Sequence, residues 1–99
     1  MKTPPVKFTA KLELYAGDAP WHFITVPLEE SDVIKELYIW PRRGFGSIPV
    51  NVTIGKTTWK TSIFPQKDQT FFLPIKKQIR VTENLKVGGS TAITLEVRN

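Results

Sequence analysis

Seven residues form the set best suited to hold an anion: Arg42, Arg43, Phe45, Lys60, Lys76, Lys77 and Arg80. Arginine offers a planar fork of N–H donors that matches a phosphate or carboxylate, and lysine adds a compact positive charge. The two adjacent arginines stand in "PRRGFGSIPV", residues 41–50. Gly44 and Gly46 there let a backbone come close to a ligand, and Phe45 between them can stack on a ring or base. The loop also has an architectural reading. Phe45 then plugs one end of the fold, the glycines supply positive φ, and the arginines pair with acids on a neighbouring helix. The sequence leaves both readings open. Trp40 and Trp59 read as core or rim residues rather than stacking platforms.

No constellation supports a reaction. The chain has no cysteine and one histidine, so a thiolate nucleophile and thiolate metal sites are excluded. His22 stands between Trp21 and Phe23 and reads as a packing or surface histidine. Asp18, the nearest acid before it, falls in a turn. Glu29, Glu30, Asp32 and Glu36 cluster where a helix begins, and acids there complement the helix dipole on a solvated face. "IGKTT" (54–58) resembles a phosphate-binding loop only superficially. Val50 occupies the place of that motif's first glycine, and the stretch joins two strands instead of opening a helix. The expectation is a non-catalytic protein with no cofactor and no metal.

The net charge is +5, and it is uneven. Residues 1–40 hold four lysines and six acids, whereas residues 41–99 hold ten basic residues and three acids, a local net of +7. This asymmetry points to an anionic partner for the second part of the chain, although segregated charge also serves plain solubility. The expected partner is a small anionic ligand or a protein, with nucleic acid as the alternative. "MKTPPVKF" lacks the apolar run of a leader, and no stretch approaches 18 apolar residues. A cytoplasmic chain without a membrane segment, acting as a monomer or homodimer, is the expectation.

The elements that must position these residues are mostly strands. At 99 residues the chain is long enough for one domain with its own core. Val6, Phe8, Ala10, Leu12 and Leu14 alternate with polar residues, which predicts a strand over 6–15. "WHFITV" (21–26) predicts a second, whose inward face is undecided because both alternating sets are apolar. Pro27 suits a helix start, and Val33, Ile34, Leu37 and Tyr38 fall at helical spacing, which predicts a helix over about 29–39 with Ser31 or Asp32 near its start. Further strands are predicted over 50–54, 57–64, 70–75 and 91–98, a hairpin turn at Gly55-Lys56, and a helix over about 76–84.

The order is ββαβ repeated twice, with "VPL" (26–28) and "LPI" (73–75) at matching joints. Each half alone would leave sheet edges open, and two clasped halves close them. The prediction is a mainly β fold: a small six-stranded barrel with pseudo-two-fold symmetry and two short helices.

"GFGSIPVNVTIG", "WKTSIFP", and Pro74, Lys76 and Arg80 followed by Leu85 and Gly88 resemble the bacterial family called domain of unknown function nineteen-oh-five, over about residues 6–98. Val81, Thr82 and Gly89 depart from that family's pattern. The resemblance implies a double-split β-barrel, in the same broad fold group as swapped-hairpin DNA-binding barrels. It implies no activity.

Overall fold

A computed structural model describes residues 3–38 and 46–98. The elements are β1 (Val6–Tyr15), β2 (Trp21–Val26), α1 (Leu28–Leu37), β3 (Ile48–Ile54), β4 (Thr57–Pro65), β5 (Phe71–Pro74), α2 (Lys77–Thr82) and β6 (Ser90–Val97). The order ββαβ-ββαβ is as expected. The strands close into a six-stranded barrel, β1-β2-β5-β4-β3-β6, with every neighbouring pair antiparallel. Closure gives every strand a neighbour on both sides, so no strand lies at a free sheet edge along its whole length.

The registers carry the pseudo-two-fold. Ile24 sits opposite Leu73, so exchanging the halves swaps Phe23↔Pro74 with Thr25↔Phe72. Carried through the registers around the barrel, the same exchange has its second centre at Thr53↔Thr94, between β3 and β6. Ile24 and Leu73 are fully buried. The long first strand of each half serves two neighbours. β1 pairs with β6 through Val6–Lys11 and with β2 through Leu12–Tyr15. β4 pairs with β3 through Thr57–Ile63 and with β5 only at Phe64 and Pro65. Where a strand changes partner the barrel wall splits, so the fold has two gaps: β1 parts from β2, and β4 parts from β5.

Alternation explains most of the burial. Ile48, Val50, Val52 and Ile54 point inward from β3, and Ile93, Leu95 and Val97 from β6. On β2, Ile24 and Val26 are the buried pair. Trp21 and Phe23 instead join an aromatic cluster on the outer face, where Trp21 lies 4.7 Å from Phe23 and 4.9 Å from Phe72, ring centre to ring centre. That cluster is why both faces of "WHFITV" are apolar.

Several boundaries shift. β3 begins at Ile48 rather than at Val50, and β5 covers 71–74 instead of 70–75. α1 begins at Leu28, behind Pro27, so Ser31 lies inside the helix rather than at its start. Val33 is largely exposed, and Ile34 is the buried anchor. The second helix ends at Thr82, short of the expected Asn84. Asn84 takes φ +54°, Leu85 N–H donates to Arg80 C=O (2.8 Å), and Asn84 N–H donates to Val81 C=O (3.2 Å). This is a Schellman motif, in which a left-handed residue closes the last turn. At the β3–β4 hairpin only Gly55 has positive φ and Lys56 does not, as a type II′ turn requires.

Ser31 shows how α1 is fastened over the first gap. It is fully buried; its hydroxyl donates to Val26 C=O (3.0 Å) and accepts from Phe71 N–H (3.2 Å). Lys35 adds a bond to Gln69 C=O at 2.9 Å, and α1 packs along β1. The Ser31→Ala variant strands a buried N–H and a buried C=O, a defect that costs roughly 1–3 kcal/mol. Urea denaturation is expected to show that loss with an unchanged m-value.

Candidate functional site

The second gap stays open. α2 has six residues against ten in α1 and does not cover the parting of β4 from β5. A groove of about 530 Å³ occupies the gap. Trp59, Lys60 and Thr61 of β4 form one wall; Pro74, Ile75 and Lys76 form the other. Pro20, Trp21 and His22, beside Ile75 at the start of β2, and Arg80 of α2 complete the lining.

Arg80 and Ser31 hold matching places, each being the fourth residue of its helix behind the joint that follows β2 or β5. The β2–β5 register likewise makes His22 the counterpart of Phe71: Val26 faces Phe71 in one half, and Ile75 N–H donates to His22 C=O in the other. In the first half a serine hydroxyl seals the joint. In the second, a guanidinium meets an imidazole, with Arg80 Nη1 3.3 Å from His22 Nε2. Long side chains and a short helix leave space where the other half is packed.

Local structure holds Arg80 in place. Its carbonyl is the acceptor of the Schellman bond, and Ile79 beside it is buried in the core. Glu83, just beyond α2, accepts a 2.5 Å bond from Thr57 Oγ1 and ties the helix end to β4. A Cβ at Gly55 would collide with that same carboxylate. Arg80 Nε is buried and has no partner among the described residues, so part of the guanidinium's donor capacity is uncommitted.

His22 completes the site's electrostatics. Burial, and secondly the Arg80 guanidinium, hold its imidazole below the ordinary range. Arg80 can only donate, so a neutral His22 accepts at Nε2 and carries its proton on Nδ1. As pH falls, the unfolded chain takes up this proton before the folded one. The stability that neutral His22 secures is therefore complete above about pH 6.5 and is lost as pH drops through the lower folded value. Melting midpoints are expected to fall between pH 7 and pH 5, and the His22→Gln variant is expected to flatten that segment. Asp68 belongs to a separate, more acidic window. Bonds from the Thr70 hydroxyl and backbone hold its carboxyl below the usual carboxylate range.

Of the seven residues singled out in the sequence, Lys60, Lys76 and Arg80 meet at this groove. Lys77 is exposed on α2 and is not one of the walls. Arg42, Arg43 and Phe45 lie outside the described residues, as does Trp40. His22, Trp21 and Thr61 are site residues that the sequence does not single out. Trp59 does pack on the core, as its sequence reading has it, but it also faces the groove. The available signal was the barrel itself: strands that part near residues 60 and 74 bring these side chains together. The acids of α1 stand apart; Glu29, Asp32 and Glu36 are exposed, and Asp32 pairs with Lys35 at 3.8 Å. No described helix is long and apolar enough to cross a membrane.

Comparison with known proteins gives a family and no function. No curated protein matches the chain. Residues 8–95 match the family described as Domain of unknown function (DUF1905), which is nearly the whole length, and the chain therefore belongs to that family.

Proposed function

We propose that the chain is a non-catalytic binding module whose basic groove holds an anion, either a small free ligand or one displayed on a protein partner. One observation carries this reading. Lys60, Lys76 and Arg80, from two different segments of the chain, converge on one groove that no acid lines among the described residues. Like charges brought together around a concavity cost energy unless an anion offsets them, and a cleft focuses their field outward. Neutral His22 adds hydrogen-bonding capacity without another charge at pH 7.

The test is an amide-resolved NMR titration with inorganic phosphate and with ribose 5-phosphate, at several salt concentrations. Shifts confined to the groove, with a logarithmic salt slope of about one, support the reading. Lys60→Gln/Lys76→Gln is expected to weaken the response, and Lys11→Gln, on the outer face of β1, to leave it intact. No shift with either probe at millimolar concentration overturns the reading. Single- and double-stranded oligonucleotides form a second arm, motivated by the +7 charge of residues 41–99. Tight oligonucleotide binding with a slope of several, spread beyond the groove, replaces the small-anion reading with a nucleic-acid one.

A further inference from the structure

We infer that the ligand is a phosphomonoester carried on a flat aromatic ring system, of the mononucleotide class. This rests on the anion-binding reading above and deepens it. Size points this way first. A cleft of about 530 Å³ is in the range that buries a whole drug-sized molecule, far more than one phosphate group fills. The remainder of the ligand has to occupy the remainder of the space.

The walls say what that remainder is. Trp21, Trp59, Ile75, Pro20 and Pro74 are apolar, and the cations and His22 share the groove with them. An aliphatic polyol phosphate would leave these surfaces facing hydroxyls. A planar ring covers them and meets the indoles face to face or edge on. Trp21 is held for this by its neighbours, with Phe23 at 4.7 Å, Phe72 at 4.9 Å and Tyr15 at 6.1 Å between ring centres. Its ring needs no reordering when a ligand arrives, which lowers the entropic cost of stacking.

Charge selects the anion. Lys60, Lys76 and Arg80 supply three positive charges with no acid among them. A carboxylate offers one negative charge. A phosphomonoester, with its second ionisation near pH 6, approaches two at neutral pH and has three acceptor oxygens for a guanidinium and two ammonium groups. The ring and the phosphate thus answer to different residues of one groove.

The experiment compares adenosine 5′-monophosphate, ribose 5-phosphate and adenosine on the same protein, by calorimetry and tryptophan fluorescence. The monophosphate is expected to bind about five- to 150-fold more tightly than ribose 5-phosphate, since stacking one base on an aromatic side chain is worth about 1–3 kcal/mol. It should also quench tryptophan emission, and Trp59→Phe should remove part of the quench. Trp59 packs on the core, so Trp59→Leu is also measured, using the ratio of the two phosphates within the variant. That ratio should fall toward one, and a loss of folding would weaken both ligands together. Equal affinity for the monophosphate and ribose 5-phosphate overturns the ring inference and leaves the anion reading standing. Adenosine binding as tightly as its monophosphate overturns both, and so does the absence of binding by all three.

Discussion

Leu73→Ala is expected to cost about 2–5 kcal/mol of stability, the range for truncating a well-packed core leucine. Leu73 is fully buried and faces Ile24 at the centre of the β2–β5 ladder. β5 is only four residues long, yet it joins one half of the barrel to the other. A cavity there cannot close by local collapse, because both neighbouring strands are held by their own ladders. Domains of this size have roughly 5–15 kcal/mol in total, so the variant loses a large share. At about 4–8 °C per kcal/mol, its melting midpoint should drop by roughly 10 °C or more. Val81→Ala, on the exposed side of α2, is the control and should stay within about 0.5 kcal/mol. Ile24→Ala and the double variant complete a cycle. Residues in direct contact couple by about 0.5–3 kcal/mol, so strictly additive losses would contradict the Ile24–Leu73 register.

Arg80→Gln separates binding from folding. The variant is expected to weaken phosphate binding by roughly ten- to a hundred-fold, because it removes a charge-assisted donor pair from the groove. Its stability should change little. The buried Nε of Arg80 has no partner among the described residues, so the folded state loses few good bonds when the guanidinium goes. The His22 imidazole should also respond. Arg80 is the second cause of its lowered pKa and burial is the first, so its pKa should rise in the variant yet remain below the ordinary value. An NMR titration of His22 reads this directly. A destabilised variant with an unmoved His22 titration would make Arg80 a structural residue. Weakened binding together with a raised His22 pKa places its charge in the groove.

The strands were legible because a strand's inward face is a local pattern. Ile48–Ile54 and Ser90–Val97 alternate so regularly that position alone assigns their cores, and Gly55 announces the hairpin by its freedom at positive φ. The doubled ββαβ order required only counting those patterns. The sequence overextends α2 because the helix stop depends on Asn84, a residue that serves in a left-handed cap but carries a weaker signal than glycine. β2 is ambiguous in sequence because Trp21 and Phe23 are apolar for the sake of Phe72, nearly fifty residues away in the chain.

The sequence by itself determined the strand faces outside β2, the turns and the repeat, since each is written within a few neighbouring residues. Only the tertiary structure decided the site. It set His22 against Arg80, 58 residues apart, and laid Lys60 across from Lys76. It also decided which of two related gaps would open. Ser31 and a ten-residue helix seal one, while Arg80 on a six-residue helix leaves the other a groove. These outcomes depend on which strands pair and where they part. Such pairing is set by the burial of the whole barrel, which no local stretch of residues contains.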